Sequence, residues 1–368
     1  MITRVYIDNF RCFSNFEVEP ARINLLLGKN GAGKSSFVDV LQRIVSVAID
    51  GREVGEVFSA QDLTRWDTRS EQRFEVDLRV AGDTYTYVLG LERGSDAGMI
   101  LQHERVSCAD RVLYRYQDGD VHLHHNNGSE GASFAFRGNR SFLAGIEERP
   151  ETTSLMEFLT RLRAIRSYKL GPTQMESVSQ EEQRRLRPDG SNFASWYRHL
   201  AQENAGGLAD LFQHLADAIP GFKSISLKGA GKQGKTRDLV VQMKDKKQSY
   251  DIEFEALSDG QRALVVLYSL LLDITENPQT LILDEPENYV GISELQPWLQ
   301  ALDEALGDQS QLLLISHHPA GIDFLAPEHP LLFERSAASP VRVRRVDFDR
   351  DSGLEASAQI ERGLLDGQ

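Results

Sequence analysis

Two clusters of residues in this 368-residue chain have the types and spacing that chemistry needs. The first is Gly28-Lys29-Asn30-Gly31-Ala32-Gly33-Lys34-Ser35, followed by Ser36. Its glycines let backbone N–H groups close around phosphate oxygens, and a helix beginning there adds positive potential. Lys34 would reach the β and γ phosphates of a nucleoside triphosphate, and the Ser35 hydroxyl would ligate Mg²⁺. The second is Asp284-Glu285, two carboxylates that close the apolar run Leu281-Ile282-Leu283. Asp284 is placed to hold Mg²⁺ through water, and Glu285 to polarise the water that attacks the γ phosphate. ATP and Mg²⁺ are the ligands that the two clusters predict together.

Positioning these groups requires particular elements. Ile23 to Leu27 (INLLL) reads as a buried strand that ends at Gly28, and Ser35 to Ala48 has apolar residues at helical spacing. Thr3 to Asp8 reads as an earlier strand, joined to the next by a turn. From about Arg73 to His125 the period becomes two, with turn pairs Ala81-Gly82, Asp118-Gly119 and Asn127-Gly128, which predicts an antiparallel meander. Residues 151–218 read as helical, broken by Pro172 and Pro188. Strands return after Pro220 (FKSISL, RDLVVQM, SYDIEFEAL), a long helix starts at Gly260, and apolar strands follow at Leu281–Leu283 and Leu312–Ile315. The polar last twenty residues read as a short helix with a loose end.

Composition bounds the class. The formal charge is −14, which argues against a wholesale nucleic-acid coat. Residues 150–250 nevertheless hold 16 Lys and Arg against 11 Asp and Glu, so a local basic surface remains. No apolar run approaches the roughly 20 residues that span a bilayer. Arg4, Asp8 and Arg11 interrupt any signal-peptide core. Cys12 and Cys108 are too few for a disulfide framework. A cytoplasmic protein with no membrane partner is expected.

Two further motifs carry a resemblance. Leu257-Ser258-Asp259-Gly260-Gln261 stands 26 residues before Asp284. Ser258 there suits a plain helix N-cap, but the segment also resembles the L-S-G-G-Q signature of ABC-type ATPases, with Asp259 in place of the first glycine. Leu312 to Ile315 runs into Ser316-His317-His318, and His317, 33 residues beyond Asp284, fits the family's switch histidine, with His318 the weaker candidate. Within that family the chain is similar to the RecF, structural-maintenance-of-chromosomes (SMC) and overcoming-lysogenisation-defect branch. The opening Asn9-Phe10-Arg11 resembles the N-F-R start of RecF-type heads, and Lys34 and Ser258 are 224 residues apart, more than a transporter ATPase normally allows. Asp284-Glu285-Pro286-Glu287-Asn288 resembles the small AAA-type ATPases of this branch.

The resemblance implies an α/β fold, a P-loop ABC-type ATPase head with a flanking antiparallel β sheet and a helical insertion. Residues 1–148 and 221–368 would form the composite head, with 71–148 as the β subdomain and 149–220 as the insertion. It implies catalytic roles for Lys34, Glu285 and His317, nucleotide contacts from Arg11 and, across a head-to-head dimer or higher oligomer, from Ser258 and Gly260. It places the metal-ligating glutamine of the family weakly at Gln174. The transporter D-loop aspartate would fall on Gly291, and neither a long coiled coil nor a Toprim nuclease module is expected. Overall acidity and the missing nuclease favour a regulatory ATPase. Such an ATPase controls a separate effector, a nuclease for example, as related ATPases do in bacterial anti-phage modules. The alternative is a DNA-repair or genome-maintenance ATPase acting on DNA through Lys228, Lys232, Lys235, Arg237, Lys244, Lys246 and Lys247. Arg161, Arg163, Arg166 and Lys169 suit a partner protein equally. His122, His124 and His125 suggest a hairpin end more than a metal site.

Overall fold

Alternation of apolar and polar side chains builds the largest sheet. Six strands follow one another at Glu71–Val80, Asp83–Arg93, Met99–Cys108, Arg111–Gln117, Asp120–His124 and Glu130–Ala135, each antiparallel to the next. In the first of them Phe74, Val76 and Leu78 are buried while Arg73 and Arg79 face solvent, the period of two that a half-buried strand requires. Ala81 and Gly82 both take positive φ, 50° and 98°, which matches a primed hairpin turn to the strand twist. The computed structural model describes residues 1–95, 98–230, 235–246, 248–328, 330–336 and 339–364.

These residues form two compact units, Met1–Arg166 with Glu328–Asp347, and Ser167–Pro327 with Phe348–Gln368. They divide the chain at other points than the sequence-based scheme.

In the first unit the strand Ile2–Asp8 pairs with Phe16–Val18 on one side and Glu71–Val80 on the other, which completes an eight-stranded sheet. Ile2–Asp8 and Ile23–Leu27 are therefore not a simple two-strand turn. Phe16–Val18 intervenes, and Ile23–Leu27 lies instead parallel to Leu331–Glu334, which pairs antiparallel with Arg342–Arg345. All five residues of Ile23–Leu27 are buried. The helix Lys34–Ala48 follows the glycine loop and buries Phe37, Val38, Leu41, Ile44, Val45 and Ala48 at helical spacing. A second helix, Thr153–Arg163, buries Leu155, Phe158, Leu159 and Leu162. Its Phe158 ring stacks on Tyr85 and Tyr87 of the large sheet.

The second unit holds two parallel, wholly buried strands, Thr280–Asp284 and Gln311–Ile315, in register from Thr280 opposite Gln311 to Asp284 opposite Ile315. Helices Asp259–Glu276 and Ile292–Ala305 pack together. The first of these also meets Leu208–Ala218, where a Cβ on the neighbouring Gly207 would stand 2.3 Å from Leu272 Cδ1. A small antiparallel sheet joins Val178–Ser179, Phe222–Ala230 and Ser249–Glu253 around Thr236–Lys244.

The stretch expected to be helical does carry Thr153–Arg163, Phe193–Glu203 and Leu208–Ala218, but the strands Ile165–Tyr168 and Val178–Ser179 interrupt it. β-Branched and aromatic residues at Ile165 and Tyr168 favour the extended chain over another helical turn. The run expected as one strand from Ser249 ends at Glu253, and Phe254–Ala256 forms a 3₁₀ turn that buries Phe254. Cys12 and Cys108 are buried and free. Among the described residues no helix is long and apolar enough to cross a membrane.

Candidate functional site

The glycine loop is shaped by close backbone contact. Gly28 has φ +141°, and a Cβ there would stand 2.3 Å from the Phe333 carbonyl oxygen. Gly33 has φ +105°, with Val341 Cγ2 at 3.0 Å from a built Cβ and Cys12 Sγ at 3.3 Å. Gly33 caps the helix Lys34–Ala48 without a side-chain hydrogen bond, and the N-terminus of such a helix favours an anion. Lys34 is buried, and its Nζ donates to the carbonyls of Gly28 at 2.5 Å and Lys29 at 3.3 Å. The ammonium is thus curled inside the loop that it would serve. Ala32 is buried, Lys29, Asn30, Gly31 and Ser35 are exposed, and Ser36 is half-buried.

Arg11 has φ +50° and is tied to both sides of the helix start. Its Nη1 lies 2.8 Å from Asp39 Oδ2 on that helix, its Nε 2.9 Å from Asp62 Oδ1, and its guanidinium stacks on Phe10. Burial raises the Asp62 carboxyl, but the hydrogen bond from Arg11 and the charge of Arg43 outweigh it and hold Asp62 below its usual value.

In the second unit Asp284, Glu285, His317, Asn288 and Lys169 come together about the ends of the two parallel strands. Asp284 is buried at its strand end, and Glu285, at φ +52°, turns off it while its N–H donates to Ile315 O at 2.9 Å. His317 Nε2 stands 3.6 Å from Glu285 Oε1, and Asn288 Nδ2 donates to Glu285 Oε2 at 3.1 Å. Lys169 Nζ lies 3.2 Å from Asp284 Oδ2 and 3.6 Å from Glu285 Oε2. Desolvation raises the Glu285 carboxyl, but Asn288, Lys169 and His317 together hold it below its ordinary value. His318 does different work, since its Nδ1 accepts from Ala320 N at 3.2 Å and caps the next helix.

Ser258 and Gln261 form a reciprocal capping box at the start of Asp259–Glu276, with Gln261 N donating to Ser258 Oγ at 3.2 Å and Ser258 N to Gln261 Oε1 at 3.1 Å. Asp259 is ion-paired to Arg262. Gly260 is demanded by proximity, because a Cβ would come within 2.7 Å of Tyr289 O. Gln174 is exposed at the end of the turn Pro172–Gln174, whose Pro172 is buried and which packs on the same helix.

Two members of the acid cluster escaped the sequence reading. Lys169, grouped there with partner-facing arginines, is committed to the acid pair, because Ile165–Tyr168 is a strand that delivers it from its end. Glu287 is buried and accepts from Ser316 Oγ at 2.7 Å and His317 N at 3.0 Å. The signal that would have found Lys169 is a lone lysine directly after a strand with buried Ser167 and Tyr168. The histidine cluster assembles no metal group among the described residues; His122 Nδ1 pairs with Ser133 Oγ at 3.0 Å. Of the basic run, Lys228 is ion-paired to Asp251, and Lys232 and Lys247 lie outside the described residues.

The chain has a mixed α/β fold with several sheets, similar to that of SMC head domains. A family model described as an AAA ATPase domain matches residues 1–84. The fold is similar to an SMC head bound to the C-terminal winged-helix domain of ScpA, at 13% identity and TM-score 0.57, covering 96% of this chain and 99% of that one. It is also similar to an SMC head with an extended coiled coil bound to the C-terminal domain of ScpA from Pyrococcus furiosus, at 11% identity and TM-score 0.51, covering 99% of each chain. No curated protein matches by sequence.

Proposed function

We propose that this chain binds and hydrolyses ATP, pairs head-to-head with a second copy around the nucleotide, and uses that cycle to regulate a separate effector protein. The observation that carries the reading is the meeting of Asp284, Glu285 and His317 at the ends of two parallel strands. Lys34 and the amides after Gly33 would bind the β and γ phosphates. The Ser35 hydroxyl and the Asp284 carboxylate are each a hard oxygen donor of the kind Mg²⁺ takes, and that ion would neutralise charge developing on the phosphates. Glu285 would accept the proton of the attacking water, and His317 would stabilise the γ phosphate from the other strand end. Ser258 and Gly260 of one copy would close the site of the other.

Protein partnership fits the SMC heads, whose solved structures carry a ScpA domain. A cytoplasmic anti-phage module with a nuclease effector is the setting that the resemblance implies. Direct action on DNA is the competing reading; the ion pair between Lys228 and Asp251 subtracts from the cationic surface that it needs. The experiment is mass measurement of Glu285→Gln with and without ATP and Mg²⁺, beside wild-type turnover. Turnover should fall by roughly 10² to 10⁴, with ATP binding intact and a long-lived dimer. A monomer at saturating ATP that hydrolyses at full rate would end the proposal, and steep salt-dependent DNA binding would favour the competing one.

A further inference from the structure

One ion pair at the acid cluster has no part in the chemistry above. Lys169 follows the strand Ile165–Tyr168, with buried Tyr168 and Leu170 on either side fixing its backbone. Its ammonium lies 3.2 Å from Asp284 Oδ2 and 3.6 Å from Glu285 Oε2. Asp284's side chain is 8% exposed and Lys169's is 58% exposed. The anion is thus fixed and buried, whereas the cation reaches it on a long stem that can swing into water without repacking anything. An ammonium is a compact point charge with three donors, and it stands on one oxygen of the carboxylate proposed to face the divalent ion.

The geometry points to Lys169 as a built-in counter-cation, a positioning residue that competes with divalent metal for Asp284 and holds Glu285 until nucleotide arrives. This rests on the reading of Asp284 as the carboxylate that faces Mg²⁺. A second cation brought to Asp284 meets the ammonium at close range, and that repulsion weakens metal binding to the empty protein. A triphosphate brings its own negative charge and gives the displaced ammonium another partner. Metal would therefore enter with nucleotide rather than before it, and the acid pair would stay neutralised between turnovers.

The test is Mn²⁺ titration of the nucleotide-free full chain, read by the electron-paramagnetic signal of free ion. Wild type should bind weakly, and Lys169→Met about tenfold more tightly, because the like-charge repulsion at Asp284 is gone. Lys169→Arg should stay weak, because it keeps the charge, and Lys169→Met with Asp284→Asn should return to weak binding. Should Lys169→Met fold poorly, Lys169→Gln removes the same charge with a polar side chain. Unchanged affinity in the neutral variants, or tight binding that survives Asp284→Asn, overturns the inference. The titration needs no turnover. A chain that hydrolyses no ATP yet gains metal affinity in Lys169→Met defeats the proposed function alone, and an active ATPase without that gain defeats only this inference.

Discussion

Glu287 holds the backbone of His317 in place from the end of the neighbouring strand. Its Oε1 accepts both Ser316 Oγ at 2.7 Å and His317 N at 3.0 Å, although the residues lie 29 and 30 positions apart. The buried carboxylate thus sets where the histidine side chain leaves the chain, and the imidazole then faces Glu285. Removing it leaves the buried Ser316 hydroxyl and the part-buried His317 N–H without this acceptor, a loss of about 2 kcal/mol for bonds to a charged acceptor. Glu287→Ala should also lower kcat about tenfold with KM nearly unchanged, because the histidine proposed to act on the γ phosphate is misplaced while nucleotide contacts remain. Steady-state kinetics beside thermal melting check this. An unaltered kcat would show that His317 needs no such support.

The glycine loop offers a contrast between two substitutions of equal size. At Gly28 the added methyl meets a backbone oxygen at 2.3 Å, and φ is +141°. At Gly31 the space is open, and only φ of +80° opposes a side chain, a penalty of about 1–2 kcal/mol. Gly28→Ala should therefore abolish measurable ATP binding, while Gly31→Ala should weaken it only about tenfold. Equilibrium titration with a fluorescent ATP analogue ranks them. Equal affinities would mean that the loop rearranges on binding.

What could be read in the sequence was local. The loop Gly28 to Ser35 announces itself because positive-φ glycines and a helix-start lysine work within eight residues. The strands Ile23–Leu27 and Gln311–Ile315 were legible because a wholly buried strand is a short apolar run. Lys169 was not legible, since its acidic partner lies 115 positions away and nothing local separates it from the solvated basic residues nearby. His317 is preferred over His318 by its register alone, and the physical reason, that His318 caps the next helix while His317 turns toward Glu285, shows only in the fold. The strand Ile165–Tyr168 is masked by the helical periodicity before it, and four residues are too few to show a period of their own.

Ser258 has a structural duty that must be separated from its proposed role. Its hydroxyl caps Asp259–Glu276 through Gln261 N, so Ser258→Ala should lose about 1 kcal/mol of stability whatever else it does. Ser258→Asp keeps a capping acceptor and adds charge favourable to a helix N-terminus. That carboxylate would repel a triphosphate held by a second copy. Ser258→Asp is therefore expected to melt near wild type yet fail to pair on ATP in light scattering. Normal ATP-dependent pairing in Ser258→Asp would confine this residue to capping.

The large sheet encloses a carboxyl whose charge state bears on stability. Glu104 is fully buried, accepting from Tyr87 Oη at 2.7 Å, Tyr114 Oη at 2.9 Å and Ser141 Oγ at 2.8 Å. Burial raises its carboxyl above the ordinary 4.5, and the three hydroxyl donors only partly offset this. A raised folded value favours the neutral acid, so the stability it contributes is complete below the unfolded value near 4.5. That stability is lost as pH climbs through the folded value. Glu104→Gln places a neutral group of similar shape there, and the hydroxyls can rotate to accept from its amide. The variant should match wild type in acid and exceed it at neutral pH, by about 1.4 kcal/mol for every tenfold difference between the folded and unfolded acid constants. Melting curves of both proteins across the range from acid to neutral decide the matter. Parallel curves would mean that the donors stabilise the carboxylate as fully as water does.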